Sequence, residues 1–139
     1  MNVLEYEPLK NHTTMKIGGH ARYFITAKYK QEIVDAYNFA KQKKLPIEVI
    51  GDGSNIIFTD DGYTGIVVKN DIKGFSLNKV GLLKVGAGEK WDDVVKKCVQ
   101  ANFCGIEALS WIPGTVGGAP VNNIGAYGQE AKDTIVEIQ

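Results

Sequence analysis

Between Ala21 and Ile50 the chain reads as strand, helix and strand, and no other stretch restricts its folding so strongly. Ala21-Arg22-Tyr23-Phe24-Ile25-Thr26-Ala27 is rich in aromatic and β-branched residues, the composition of a strand. From Gln31 to Lys44 the apolar residues Ile33, Val34, Tyr37, Phe39 and Ala40 recur at helical spacing. Glu32 and Asp35 stand early in that helix and Lys41, Lys43 and Lys44 late, the charge order its dipole favours. Leu45-Pro46 ends it, and Ile47-Glu48-Val49-Ile50 is a second strand. Strands joined through a helix need a crossover and are therefore expected to run parallel. Before this unit lies a polar approach, Asn11 to Gly19. After it come a loop, Gly51 to Asn55, a further strand at Ile56-Ile57-Phe58, a turn at Asp60-Asp61-Gly62 and the strand Gly65 to Lys69.

A second segment starts at Gly74. Leu82-Leu83-Lys84-Val85 is expected to be a strand running into Gly86-Ala87-Gly88. Trp91, Val94, Val95, Cys98 and Val99 then follow at i, i+3, i+4, i+7 and i+8, with Asp92 and Asp93 at the amino end and Asn102 placed to cap the carboxyl end. Gly105 to Gly128 holds six glycines and two prolines, too loop-like for a helix or long strand and too apolar for a disordered linker. Thr134 to Gln139 has the residues of a strand, and the chain stops inside it, so the sequence reads as cut. The expected organisation is one lobe over 1–73 and an unfinished second lobe over 74–139.

With 139 residues, 44% hydrophobic and 23% charged, the chain is the size of one ordinary domain, which rules out two full-sized ones. Sixteen basic residues against sixteen acidic give zero net charge, which removes the electrostatic case for nucleic acid or an anionic membrane surface. No apolar run reaches the length of a membrane span and the start lacks a signal-peptide pattern, so the expected location is cytoplasmic. Cys98 and Cys104 fit neither a zinc pair nor a CxxC redox pair and are expected to be buried free thiols. His12 and His20 have no partners at ligand spacing, so no metal is expected.

Two glycine-rich segments carry the chemistry. In Ile50-Gly51-Asp52-Gly53-Ser54-Asn55, two glycines free the backbone for positive φ, successive amides can face one concavity, and Ser54 and Asn55 add donors. Such a nest suits a phosphate, although Asp52 opposes an anion unless its side chain points away, and a tight turn between strands fits the same residues. Neither G-x-G-x-x-G nor Gly-Lys-Ser/Thr is present, which excludes the Rossmann and Walker readings. The second segment, Ile112 to Gly128, offers small residues for close ligand approach, hydrogen bonds from Thr115, Asn122 and Asn123, and two stiffening prolines. It reads as a preorganised ligand wall or as a crossover packed under a sheet. Tyr127 is a substrate-facing hydroxyl or an aromatic lid on the core. Trp91 and Trp111 are expected to fill core, with Trp111 the one possible ligand contact.

Asn11-His12-Thr13-Thr14 with Ile17-Gly18-Gly19, Gly51-Asp52-Gly53-Ser54-Asn55, Val85-Gly86-Ala87-Gly88-Glu89-Lys90-Trp91 and the Ile112 to Gly128 run, in this order and spacing, resemble the amino-terminal half of the UDP-N-acetylenolpyruvoylglucosamine reductases. The resemblance covers essentially the whole chain. It implies an α+β FAD-binding fold of the vanillyl-alcohol-oxidase (PCMH-type) class, two lobes with the cofactor between them, the second incomplete and the substrate domain absent. It implies a flavoenzyme of peptidoglycan synthesis in which NADPH reduces non-covalent FAD and hydride passes to UDP-GlcNAc-enolpyruvate, giving UDP-N-acetylmuramate.

Carried over by motif, Gly51, Gly53, Ser54 and Asn55 would cradle the FAD pyrophosphate. Ile112, Gly114, Thr115, Gly118, Val121, Gly125 and Ala126 would line the rest of the cofactor, with Tyr127 near arriving substrate. The family's proton-donating serine, glutamate and arginine lie after the last motif, so no catalytic residue falls in this chain. The full-length protein is expected to be a monomer. The fragment, with an unpaired strand at Thr134 to Gln139, is expected to self-associate and to hold flavin weakly or not at all. Another oxidase of the superfamily, or a module without catalysis, would share the loop.

Overall fold

A computed structural model describes residues 1–139, which form two compact units, Met1–Ile72 and Lys73–Gln139. The first is a four-stranded sheet with one helix. Its elements are β1 (Val3–Pro8), β2 (His20–Ala27), α1 (Lys30–Lys43), β3 (Ile47–Ile50) and β4 (Tyr63–Asn70). The strand order is β1-β2-β4-β3, with β1 antiparallel to β2 and β4 parallel to both β2 and β3. The two strands flanking α1 are thus parallel, as the crossover demands, but β4 is inserted between them.

Burial explains that insertion. Ile66, Val67 and Val68 of β4 are all fully buried, the continuous apolar run of a strand covered on both faces. On one face Ile66 and Val68 meet Ile25, Ala27 and, from α1, Ala36 and Ala40. On the other, Val67 joins Leu9, Ala21, Phe24, Ile50 and Phe58. Small residues on α1 let the helix lie close to the sheet. The helix ends where Lys44 turns left-handed at φ 54, so that the Lys44 and Leu45 amides reach back to the carbonyls of Lys41 and Ala40 and Pro46 then leaves the axis.

One strand of this unit is not expected from the residues and one expected strand is absent. Strand β1 precedes the polar approach of Asn11 to Gly19: Leu4, Glu5 and Tyr6 are all exposed, so this edge strand shows no alternation of apolar and polar residues. Ile56 to Phe58 is not a strand. Phe58 is buried by packing under the sheet while Ile57 is 64% exposed, so one apolar anchor imitated a strand pattern.

The second unit comprises the hairpin β5 (Phe75–Leu77) and β6 (Leu83–Val85), helix α2 (Trp91–Gln100), the short helix α3 (Gly118–Val121) and the hairpin β7 (Gly125–Ala126) and β8 (Gln129–Glu130). Its core gathers Trp91, Val95, Leu109, Ala119 and Ala131, and the Trp91 indole N–H donates to the Leu109 carbonyl at 2.8 Å. Asn102 adopts φ 60, and the Asn102 and Phe103 amides close α2 onto Val99 and Cys98, the capping its position predicts. Val99, read as part of the apolar stripe, is half exposed. Cys98 is buried, as expected, but Cys104 is exposed because it lies past the end of α2.

Thr134 to Gln139 is not a strand either. A short 3-10 turn at Ala131–Asp133 leads out of β8, the Thr134 and Ile135 amides donate to the Ala131 carbonyl, and only Ile135 packs on the core while Val136 and Ile138 stay exposed. β-Branched residues make a strand only against a pairing edge, and none pairs with this segment. The expectation of self-association through an unpaired strand here loses its premise. No helix is long and apolar enough to cross a membrane.

The buried central strand sets the first testable outcome. Ile66→Ala should cost about 2–5 kcal/mol in chemical denaturation, whereas Val49→Ala, on the half-exposed edge strand, should cost under about 1 kcal/mol.

Candidate functional site

The loop Gly51–Asn55 leaves the carboxyl end of β3, beside the carboxyl end of the parallel strand β4, where Ile50 is paired with Lys69. Carboxyl ends of parallel strands are where open sheets receive ligands. Gly53 is buried with φ +66, and a Cβ there would stand 2.1 Å from the His12 carbonyl oxygen and 2.9 Å from Thr13 Cα. The need for glycine at 53 thus arises inside the protein, from backbone lying on backbone.

The segment pressed against Gly53 is itself held. His12 Nε2 lies 2.9 Å from Glu7 Oε1 and its ring stacks on Phe24 at 4.0 Å. Thr13 is buried and its hydroxyl donates to the Ile17 carbonyl at 3.0 Å. Thr14 donates from its backbone N–H to the Gly53 carbonyl at 3.1 Å, and its hydroxyl lies 3.4 Å from the same oxygen. In a trans peptide the N–H opposes the C=O, so tying the Gly53 carbonyl inward turns the Ser54 N–H to the opposite side of the loop. Ser54 is half-buried and Asn55 exposed. Because residues 56–62 separate the loop from β4, it is not a tight turn between two strands. Asp52 is drawn toward Lys69, with Oδ1 to Nζ at 3.9 Å.

In the second unit the segment 114–117 is laced to the approach to α2. Trp91 N–H donates to the Gly114 carbonyl at 3.1 Å, Val116 N–H to Glu89 at 2.9 Å and Gly117 N–H to Ala87 at 2.8 Å, while Lys90 and Thr115 form an antiparallel bridge. A Cβ on Gly117 would come within 2.8 Å of the Ala87 Cβ, so this glycine, which the motif does not assign to the cofactor, fixes the closest approach in this unit; the Gly117-Gly118 doublet is its signal. Gly114 adopts φ 119, Thr115 is buried, and Gly118 opens α3 by donating to the Thr115 carbonyl. Ile112 and Ala126 pack against the core with Val116 and Ile124. The segment therefore supplies core as well as a wall.

Trp111 corrects one expectation, being 84% exposed at φ 64 rather than buried. Its N–H donates to Asp92 Oδ1 at 2.7 Å and the Lys96 ammonium lies 5.6 Å from the ring centre. The hydrogen bond from Lys96, and then that from the Trp111 amide, hold the Asp92 carboxyl below its ordinary range. Trp91 alone fills the core.

Tyr127 and Gly128 join β7 to β8 with φ 51 and 84, the pair of positive values of a type I′ hairpin turn. Tyr127 is 97% exposed and so is no lid on the core. Val121 is 82% exposed at the end of α3. A shallow depression of about 620 Å³ brings Gly125 and Ala126 together with Asn123, Gln129 and Glu130. The Glu130 carboxylate pairs with Lys132 and accepts from Asn123 at 3.1 Å, contacts that hold it below its ordinary range.

Two left-handed glycines separate conformational cost from packing cost. Gly128→Ala meets nothing within 4 Å and should lose about 1–2 kcal/mol, the cost of a left-handed residue. Gly53→Ala should lose clearly more, because the His12 carbonyl must also move. Melting temperatures of the two variants check the order.

The FAD binding domain family matches residues 21–139. UDP-N-acetylenolpyruvoylglucosamine reductase of Thermobifida fusca is 37% identical over 135 residues, 94% of this chain and 38% of that protein. The Escherichia coli reductase of that name is 39% identical over 125 residues, 88% of this chain and 36% of that protein. The crystal structure of the reductase from Thermus caldophilus matches with TM-score 0.69 and 29% identity, covering 93% of this chain and 44% of that one. The chain thus spans well under half the length of the relatives it matches. Its α+β architecture and the match over residues 21–139 agree with each other: this chain belongs to the FAD-binding domain family.

Proposed function

We propose that this chain is the FAD-holding part of a reductase that converts UDP-GlcNAc-enolpyruvate to UDP-N-acetylmuramate with NADPH, working in the cytoplasm as a monomer. Relatives of that name at 37–41% identity support the reading, as does the glycine loop at the carboxyl edge of the parallel strands. The observation that carries it is the Gly53 peptide: its carbonyl is tied inward at 3.1 Å, so the following peptide N–H lies on the opposite side of the loop, the side this reading gives to the pyrophosphate.

Hydride transfer from NADPH to the enolpyruvyl double bond is the chemistry FAD supplies when bound. In this reading Gly51, Gly53, Ser54 and Asn55 take the pyrophosphate through backbone amides and short polar side chains. Gly114, Thr115 and Gly118 offer small, rigid backbone, fixed by the bonds to Ala87, Glu89 and Trp91. Ile112 and Ala126, anchored in the core, and exposed Val121 and Gly125 present apolar surface to the remaining parts of the cofactor. Tyr127, exposed on its turn, offers a phenol to arriving substrate. The proton donor belongs to the part of the family's sequence after the last motif, so residues 1–139 serve to hold and orient.

The test is on the full-length protein carrying these residues: visible absorption for bound flavin, then NADPH oxidation with and without UDP-GlcNAc-enolpyruvate. Bound flavin with substrate-dependent turnover is expected; flavin-free protein, or oxidase activity indifferent to the substrate, would overturn the reading. Val121→Asp should raise the FAD dissociation constant about tenfold or more while shifting stability by under about 0.5 kcal/mol, since the side chain is exposed.

A further inference from the structure

The loop proposed to hold pyrophosphate carries a carboxylate, Asp52, in its second position. A fixed negative charge beside a doubly negative group opposes binding, and backbone dipoles alone must then overcome it. The fold supplies a remedy. Strand pairing sets Lys69 next to Ile50, the last residue before the loop, and β3 and β4 run parallel, so the Lys69 side chain emerges at the same sheet edge as the loop. Its ammonium stands 3.9 Å from Asp52 Oδ1, and both side chains are a little over a quarter exposed.

That separation is an ion-pair distance but too long for a hydrogen bond. Lys69 is near enough to cancel the Asp52 charge, and its donors are not committed to the carboxylate. A compact ammonium on a flexible stem can turn toward an arriving oxygen without leaving the carboxylate's field. We propose that Lys69 is a positioning residue of the phosphate loop: it neutralises Asp52, so that the loop amides receive the cofactor's pyrophosphate in a site that is not net negative. This inference rests on the reading of residues 51–55 as the pyrophosphate cradle.

The test measures FAD affinity of the full-length protein by flavin fluorescence, at low and high salt. Lys69→Met, which keeps the apolar stem, should weaken FAD about tenfold, the loss expected for a charge-assisted contact. Raising the salt should recover part of that loss, because screening weakens the repulsion between the uncancelled Asp52 carboxylate and the pyrophosphate. Lys69→Arg should stay within about threefold of the unaltered protein, since charge is retained. Asp52→Asn combined with Lys69→Met should recover most of the lost affinity, because with both charges gone nothing needs cancelling; a merely structural role for Lys69 would not be rescued in this way. Unchanged affinity in Lys69→Met, or a double variant as weak as the single, overturns the proposal while leaving the FAD reading intact. An unaltered protein that fails to bind FAD overturns both.

Discussion

The glycine loop of the first unit depends on one close approach: the backbone of His12 and Thr13 lying directly on Gly53. Everything around it serves to make that approach possible. Glu7 and Phe24 fix the His12 ring, the Thr13 hydroxyl closes a turn onto Ile17, and Thr14 grips the Gly53 carbonyl from the other side. A loop with two glycines would otherwise sample many conformations, and ordering it on binding would weaken affinity. Here the ordering is done at folding, by protein groups. Gly53 answers a packing demand and, in the proposed reading, a binding demand as well, so substitution at 53 cannot separate the two; Lys69 and Val121, which hold no backbone in place, can.

The second unit solves a similar problem by another route. Its glycine-rich segment lies against the residues leading into α2 through three backbone bonds and an isolated bridge, while its larger residues, Ile112, Val116 and Ile124, turn into the core. Glycines and apolar residues alternate in role along one stretch, which is why it resembles neither helix nor strand and yet is not loose. Trp111 and Tyr127 stand out from it, both with left-handed backbone and both nearly fully exposed. Bulky residues held in that conformation carry strain, and strain of this kind gathers where ligands are met.

Much of this was legible in the residues. The periodicity of α1 and α2, the strands around α1, the Asp60-Asp61-Gly62 turn and the Asn102 cap all follow from local rules that tertiary packing here reinforces. What was not legible depended on partners far along the chain. Strand β1 is an exposed edge whose only signal is its pairing to β2, which sequence periodicity does not record. Ile56 to Phe58 and Thr134 to Gln139 have strand-like residues and no edge to pair with. The sequence shows glycines at 53 and 117 but not that the atoms they avoid are the His12 carbonyl and Ala87. Nor does the sequence show that the register of β3 on β4 brings Lys69 beside Asp52.

The order β1-β2-β4-β3 has a consequence for how the protein is made. Strand β4, which lies between β2 and β3, is the last of the four to leave the ribosome. While residues 1–50 are emerging, β2 and β3 have no shared neighbour and cannot rest side by side without occupying the place reserved for β4. The apolar surfaces of Phe24, Ile25 and Ala36 lack their partners on β4 until Tyr63–Asn70 slides between β2 and β3. The glycine loop, older in the chain and fixed by the still older segment His12 to Thr14, gains the lysine that stands beside it only in that final step.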